Sequence, residues 1–148
     1  MSLQQVRSIA FFACTIVVSL AYPLAVWVQT GSALFAASAP VHAWALPILL
    51  YIPVQVTARF LVFIGVLVLF KVRGDRDDPS LEDEMDKAID FRMTRVLLNT
   101  VLLGILAGLL ALAMGLPAWS LTAGLAAGIW LGSILGDAVA LFLYQRGL

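Results

Sequence analysis

The sequence predicts an all-α integral membrane protein, a bundle of four transmembrane helices, from its composition and from its apolar segments. Of the 148 residues, 62% are hydrophobic and only 12% are charged, whereas soluble domains are about 45–50% apolar and about 25% charged. Four apolar segments, at residues 9–28, 46–70, 96–116 and 121–144, reach the roughly 20 helical residues that cross a bilayer. None of them alternates with the two-residue period of barrel strands, so all four are expected to be helices.

The distribution of basic residues predicts how these helices are oriented. Lys and Arg occur before the first segment, between the second and the third, and after the fourth, but not in the connections at residues 29–45 and 117–120. Because cytoplasmic connections are enriched in basic residues, both termini and the 71–95 segment are expected in the cytoplasm. The chain is therefore interpreted as a single domain (1–148) of the cell or inner membrane, built as two hairpins that the cytoplasmic 71–95 segment joins.

The connection at residues 29–45 has an unusual composition for a loop. It is mostly apolar, although Gly31, Ser38 and Pro40 interrupt it, and Trp27 and Trp44 lie near its two ends. Tryptophan favours the headgroup layer of a membrane, so this connection is expected to lie in the outer interface. A short re-entrant piece is the alternative.

The 71–95 segment predicts a helix that begins outside the membrane. Ser80 and Asp83 have the spacing of a capping box, and one helix is expected from about Leu81 into the third span. Apolar residues fall on one face of this helix at three- and four-residue spacing, and this face needs a cover. They include Leu81, Met85, Ala88 and Ile89. Acidic residues on the same helix are candidates for docking a cytoplasmic protein, namely Asp83, Asp86 and Asp90.

Glycines recur at four-residue spacing in the fourth span and, over a shorter stretch, in the third. Glycines spaced in this way leave a groove that lets another helix backbone approach closely. The pattern predicts close helix packing, and it leaves open whether the fourth span packs on the third span or on another subunit. The glycines are Gly124, Gly128, Gly132 and Gly136 in the fourth span and Gly104 and Gly108 in the third.

Two ionisable residues fall well inside the predicted spans, Arg59 in the second and Asp137 in the fourth. Counted from the cytoplasmic ends of their helices, Arg59 lies about 17 Å deep and Asp137 about 12 Å deep. An arginine at the centre of a bilayer costs at least about 2.5–3.5 kcal/mol, and its long side chain can extend towards the nearer surface. The two residues are therefore predicted to form an ion pair inside the bundle.

Polar residues accompany this pair on three of the predicted helices. Residues three or four positions apart share a helix face, and such faces are expected to point into the bundle because lipid offers them no hydrogen-bond partners. Together with Arg59 and Asp137, the predicted intramembrane polar site comprises Thr15, Ser19, Tyr22, Tyr51, Gln55 and Ser133.

Two interpretations of this polar site stay open. It either clasps the helices in register, or it lines a path or pocket for a small polar or ionic solute. The second interpretation predicts a small transporter or channel-like protein, expected to be a homo-oligomer because four helices enclose little volume. The alternative function is a membrane-anchored regulatory or adaptor subunit that presents the 71–95 segment to a cytoplasmic partner.

Several classes of function have no motif in this sequence. The chain has one cysteine, Cys14, and no spacing of Cys and His residues that is typical of a metal site. No nucleophile with a neighbouring base and no phosphate-binding loop is found, so neither an enzyme nor a cofactor nor a metal is expected. Nine basic and nine acidic residues cancel, so net charge argues neither for nor against a nucleic-acid partner. No such partner is expected for a membrane bundle. The lipid bilayer is the expected environment.

Overall fold

The computed structural model describes residues 3–32, 36, 40–73 and 84–146, and these residues form four long helices and no strand. The helices are α1 (Leu3–Thr30), α2 (His42–Arg73), α3 (Glu84–Ala113) and α4 (Trp119–Arg146). Each of them is long and apolar enough to cross a membrane. The predicted all-helical fold class, with four segments suited to a membrane, is confirmed.

The ends of the helices differ from the predicted ends for local reasons. The third helix ends at Ala113, before the predicted residue 116, because Gly115 adopts a left-handed backbone conformation with φ of 85°. The N–H of Leu116 then donates to the carbonyl of Ala111, and the N–H of Gly115 donates to that of Leu112. This hydrogen-bond pattern is that of a Schellman C-cap, in which glycine allows the helix to stop.

Two predictions about the connections fall partly outside the described residues. The described part of α3 begins at Glu84, so the predicted start near Leu81 is not among these residues, and neither is Asp83. Between α1 and α2, Gly31 and Ser32 form one further helical turn and α2 begins at His42. Most of the intervening residues are not described, and the re-entrant alternative stays a prediction.

Contacts between helix ends define two ends of the bundle. At the first, which we call the terminal end, Gln5 of α1 donates a hydrogen bond to the carbonyl of Tyr144 in α4, and Tyr144 in turn donates to Asp86 near the start of α3. Phe70, near the end of α2, packs beside Val6 there. At the other end, which we call the loop end, the indole rings of Trp44 and Trp119 stack.

The closest helix packing in the bundle joins α3 and α4 in antiparallel register. A Cβ atom placed on Gly128 would lie 3.0 Å from the carbonyl oxygen of Thr100, and one placed on Gly108 would lie 2.8 Å from the Cα of Leu121. All six glycines singled out in the sequence face backbone or side-chain atoms of the partner helix in this way. Within one chain, the groove of α4 is therefore filled by the chain's own α3.

The interior of the bundle is more polar than its surface. Several of the buried side chains are polar or charged, among them Thr15, Gln55 and Asp137, while many large apolar side chains such as Leu103 and Leu110 are exposed. Such extensive exposed apolar surface is uncommon in soluble monomers, and it suits contact with lipid or with other subunits. A binding site for a polar ligand is therefore expected in the interior of the bundle.

Candidate functional site

Three helices bring the polar cluster together near the middle of the bundle. Gln55 and Arg59 are four residues apart and therefore point from the same face of α2, while Thr15 projects from α1 and Asp137 from α4. Arg59 Nη2 lies 2.5 Å from Asp137 Oδ2. The structure thus brings the two ionisable residues together, as their depths along the helices suggested.

Thr15 is the centre of this cluster. Its side chain is completely buried. Its hydroxyl donates to Asp137 Oδ2 at 2.5 Å and accepts from Gln55 Nε2 at 2.8 Å and from Arg59 Nη2 at 3.0 Å. A hydroxyl has one donor and two acceptor positions, so all three are used. This arrangement links α1, α2 and α4 through one oxygen atom.

The two charges of the cluster differ in their exposure. The side chain of Asp137 is 4% exposed, whereas that of Arg59 is 28% exposed. Two charges brought into a low-dielectric interior lose hydration, and their attraction compensates for this only with good geometry and further hydrogen bonds. Thr15 supplies one such bond to the carboxylate, and part of the guanidinium stays open to a neighbouring cavity.

An aromatic layer lies beside this cluster towards the loop end. The hydroxyls of Ser19 and Tyr51 are 2.9 Å apart and hydrogen-bonded, and Tyr22 donates its hydroxyl to the carbonyl of Pro47 at 2.7 Å. The ring of Tyr51 also meets the ring of Trp130 edge-on, with 6.0 Å between centroids. The predicted residues Ser19, Tyr22 and Tyr51 therefore form a second polar and aromatic layer, adjacent to the ion pair.

A cleft of about 320 Å³ lies on the terminal side of the ion pair. All four helices contribute to its lining, which carries charged and polar side chains both beside the ion pair and nearer the surface of the bundle. Arg59 and Asp137 lie among these, and so do Arg7, Ser8, Asp90 and Thr94. Asp90 and Thr94 are exposed on α3, so the cleft extends from the surface of the bundle to the ion pair.

A second, smaller cavity lies on the loop side of the aromatic layer. It has a volume of about 150 Å³ and is bordered by Tyr22, Trp27, Trp44, Tyr51 and Trp130. None of the described residues that line it is charged. The layer of Ser19, Tyr22 and Tyr51, together with the Thr15 cluster, therefore separates a charged cleft from an aromatic cavity.

Asp86, one of the residues predicted to dock a partner, is buried in the structure. Its side chain is 4% exposed, and it accepts a hydrogen bond from the Tyr144 hydroxyl at 2.8 Å. Ile89, on the apolar face that seemed to need a cover, is buried against Ala140 and Leu143. The first turns of α3 thus pack on the end of α4, which the sequence reasoning did not foresee. Asp90 is exposed and borders the cleft.

The predicted site residue Ser133 joins neither the Thr15 cluster nor the aromatic layer. The hydroxyl of Ser133 donates to the carbonyl of Ile129 in its own helix at 2.8 Å. A serine inside a helix commonly makes this bond to the residue four positions earlier. Ser133 shares the helix face of Asp137 approximately, but its hydroxyl is used locally.

The sequence reasoning missed Ser8 and Tyr144, which also border the cleft. Ser8 precedes Thr15 by seven residues, and Tyr144 follows Asp137 by seven. Two turns of a helix return to nearly the same face, with a drift of only about 20° per seven residues. Both residues could have been found by following the polar faces of α1 and α4 for two more turns towards the terminal end.

Among the described residues, no group of three or more His, Cys, Asp or Glu side chains is suited to holding a metal ion. Comparisons of the chain with protein-family models, with curated proteins and with solved structures find no match.

Proposed function

We propose that the protein is a small transporter or channel-like membrane protein that admits a polar solute to the Arg59–Asp137 pair. The observation that carries this proposal is the cleft of about 320 Å³ that borders both residues of the pair. Ionisable residues inside a membrane protein commonly mark such a path, because burying them in lipid is costly. The proposal includes a cell-membrane location with both termini and residues 71–95 in the cytoplasm, so that the cleft opens to the cytoplasm.

A purely structural clasp accounts for less of the geometry. A clasp requires the ion pair and tight packing around it, whereas here a charged cleft lies directly beside the pair. A cavity lined by polar groups holds water when it exceeds the size of a water molecule. The cleft is large enough for several waters or a small solute, which favours access from one side over a sealed contact.

The second cavity suggests how a path could continue. The aromatic cavity and the charged cleft both lie close to the Tyr51–Gln55–Arg59 face of α2, at opposite ends of it. The Ser19–Tyr51 bond and the Thr15 cluster lie between them along this face. A rearrangement of these few hydrogen bonds would connect the two cavities, and we propose that this layer is the gate.

Assembly into a homo-oligomer is part of the proposal, on grounds other than the glycines. Because α3 fills the glycine groove of α4, these glycines give no support to a contact between subunits. Large apolar side chains on α2 and α3 remain exposed, for example Phe60 and Leu103. They suit either lipid or a second copy, and light scattering of the protein in detergent distinguishes a monomer from an oligomer.

The adaptor function has less support than the transporter function. Of the three acidic residues proposed to dock a partner, Asp86 is buried and Asp90 borders the cleft. Asp83 lies outside the described residues. One face of the described start of α3 packs on α4, and Glu84, Lys87 and Asp90 remain exposed on it.

A cysteine variant tests the proposed path. In a background with Cys14 replaced by alanine, Thr94→Cys places a thiol at the cleft, and Arg92→Cys places one on the opposite side of α3, away from it. Each protein is labelled with a bulky maleimide and reconstituted into liposomes. Uptake is then measured for alanine, aspartate, choline and glucose.

We expect the unlabelled protein to take up at least one of the four solutes faster than empty liposomes do. Labelling at position 94 should abolish this uptake because the adduct fills the cleft, and labelling at position 92 should leave it unchanged. Absence of uptake of all four solutes, or equal loss of uptake on labelling either position, contradicts the proposal.

A further inference from the structure

The charges that border the cleft cancel. Two basic residues, Arg7 and Arg59, and two acidic residues, Asp90 and Asp137, line it. A solute with a net charge is attracted by the two lining residues of opposite charge and repelled by the two of like charge. It still loses hydration on entering the cleft. A solute that carries both signs can place each charged group against its opposite. The balance of the lining therefore selects against simple anions and simple cations.

Two polar groups in the cleft lining have no hydrogen-bond partner among the described residues. Ser8 is only 6% exposed, and its Oγ atom makes no hydrogen bond. The Nε–H of Arg59 is also buried without a partner, although the Nη2 group of the same side chain is used by Thr15 and Asp137. A buried polar group without a partner is costly. Both atoms have almost no accessible surface, so each side chain must rotate slightly to reach a ligand in the cleft. Once turned towards the cleft, these two donors suit a carboxylate, which accepts charge-assisted hydrogen bonds.

The same lining offers a place for a positive group. Both hydrogen bonds to Asp137 end on its Oδ2 atom, which leaves Oδ1 for another donor. A carboxylate has about four acceptor positions, so the ion pair with Arg59 does not exhaust it. Asp90 adds a second negative charge to the lining. An ammonium group is the donor that matches the remaining acceptor positions of Asp137.

We infer that the cleft binds a small zwitterion, with one carboxylate and one ammonium group, of about the size of a simple amino acid. Its carboxylate contacts Arg59 Nε and the Ser8 hydroxyl, and its ammonium group contacts Asp137. The cleft volume of about 320 Å³ is at the small end of the roughly 300–1,000 Å³ of small-molecule sites. This inference rests on the proposed function, because it names the solute class of the same cleft.

Three related compounds test the solute class with the full chain in lipid nanodiscs. Alanine carries both charged groups, propionate lacks the ammonium group, and ethylamine lacks the carboxylate. A compound that binds the folded protein raises its unfolding temperature, and the stabilisation grows with the logarithm of the ratio of ligand concentration to Kd. We expect alanine to bind at least about tenfold more tightly than either fragment, since each fragment loses one charge-assisted contact.

Two serine variants locate the binding site. Ser8→Ala removes a hydroxyl in the cleft and should weaken alanine binding about tenfold, as expected for a hydrogen bond to a charged group. Ser133→Ala removes a hydroxyl that bonds its own helix and should leave alanine binding unchanged. Both substitutions are small enough that the bundle should fold. Equal alanine binding by the Ser8→Ala variant and the unchanged protein overturns the inference.

The outcomes separate this inference from the proposed function. If propionate or ethylamine binds as tightly as alanine, the zwitterion inference is wrong. If none of the three compounds binds, the inference is also wrong, and labelled Thr94→Cys liposomes decide the rest. If the liposomes take up another solute and the label at position 94 blocks that uptake, the proposed function stands. If no solute is taken up, the proposed function and the zwitterion inference are both wrong.

Discussion

Arg59 Nη2 and Asp137 Oδ2 are 2.5 Å apart, and the buried hydroxyl of Thr15 donates to the same carboxylate oxygen. The pair joins α2 to α4, two helices with few other contacts between them. The pair also lies at the inner end of a cleft. How much the pair stabilises the fold and whether it serves a solute are therefore two different questions. The two questions need separate measurements.

The energetic role of the pair predicts a non-additive result. Arg59→Leu leaves the Asp137 carboxylate buried without its main partner, and Asp137→Leu leaves the guanidinium likewise. Each single change should reduce the free energy of unfolding by about 3–5 kcal/mol, and the double leucine variant should be more stable than either. Unfolding by SDS in mixed micelles measures this. Strictly additive losses would show that the two charges do not interact.

The packing of α3 on α4 predicts different effects for two glycines. Alanine at position 128 brings its Cβ to 3.0 Å from Val101 Cα and from the Thr100 carbonyl oxygen, whereas the Cβ of alanine at position 65 has no atom within 4 Å. Gly128→Ala should therefore destabilise the bundle by about 1–3 kcal/mol. Gly65→Ala should be neutral or stabilising by up to about 1 kcal/mol, through helix propensity. Equal effects of the two substitutions in the same unfolding assay contradict this packing.

The hydrogen bond between Tyr144 and Asp86 predicts local protection of α3. Tyr144→Phe removes a buried hydrogen bond to a carboxylate, which is worth about 1–3 kcal/mol, and should loosen the first turns of α3 from α4. Hydrogen exchange measured by mass spectrometry should become faster at residues 84–92. The control is Tyr22→Phe, which removes a hydroxyl bonded to Pro47 at the other end. Unchanged exchange at residues 84–92 in the Tyr144→Phe variant contradicts the contact.

The proposed orientation predicts opposite labelling at the two ends of α2. His42 and Lys71 are both exposed, and either can be replaced by cysteine in a background without Cys14. A thiol reagent that does not cross membranes should label position 42 in intact cells, and position 71 only after the cells are opened. Labelling of position 71 in intact cells would reverse the orientation.

The sequence was sufficient for the fold class because composition and segment length determine it. Lipid requires long apolar helices, and all four are visible without any knowledge of their partners. Arg59 and Asp137 were paired from depth alone, since each was the only residue of its charge well inside a predicted span. Such reasoning works where the costs are large and the choices are few.

The other features depended on which helix faces meet, and sequence periodicity does not supply this. Asp86 resembles a solvated residue of a helix start, and only the position of Tyr144 on the neighbouring helix shows that it is buried. Ser8 is separated from Thr15 by two apolar turns, so it appeared unrelated to the polar face. For the same reason, the sequence left open whether α3 or another subunit fills the groove of α4.

We propose that the Arg59–Asp137 pair serves a solute rather than only fastening two helices. The most direct test is alanine uptake by liposomes containing either the unchanged protein or the Arg59→Leu, Asp137→Leu double variant. The double variant is first shown to be helical and to unfold cooperatively, so that a loss of uptake cannot be attributed to misfolding. We expect alanine uptake by the unchanged protein, and uptake no faster than that of empty liposomes for the folded double variant. Equal uptake by both proteins would contradict the proposal and leave the pair as a structural clasp.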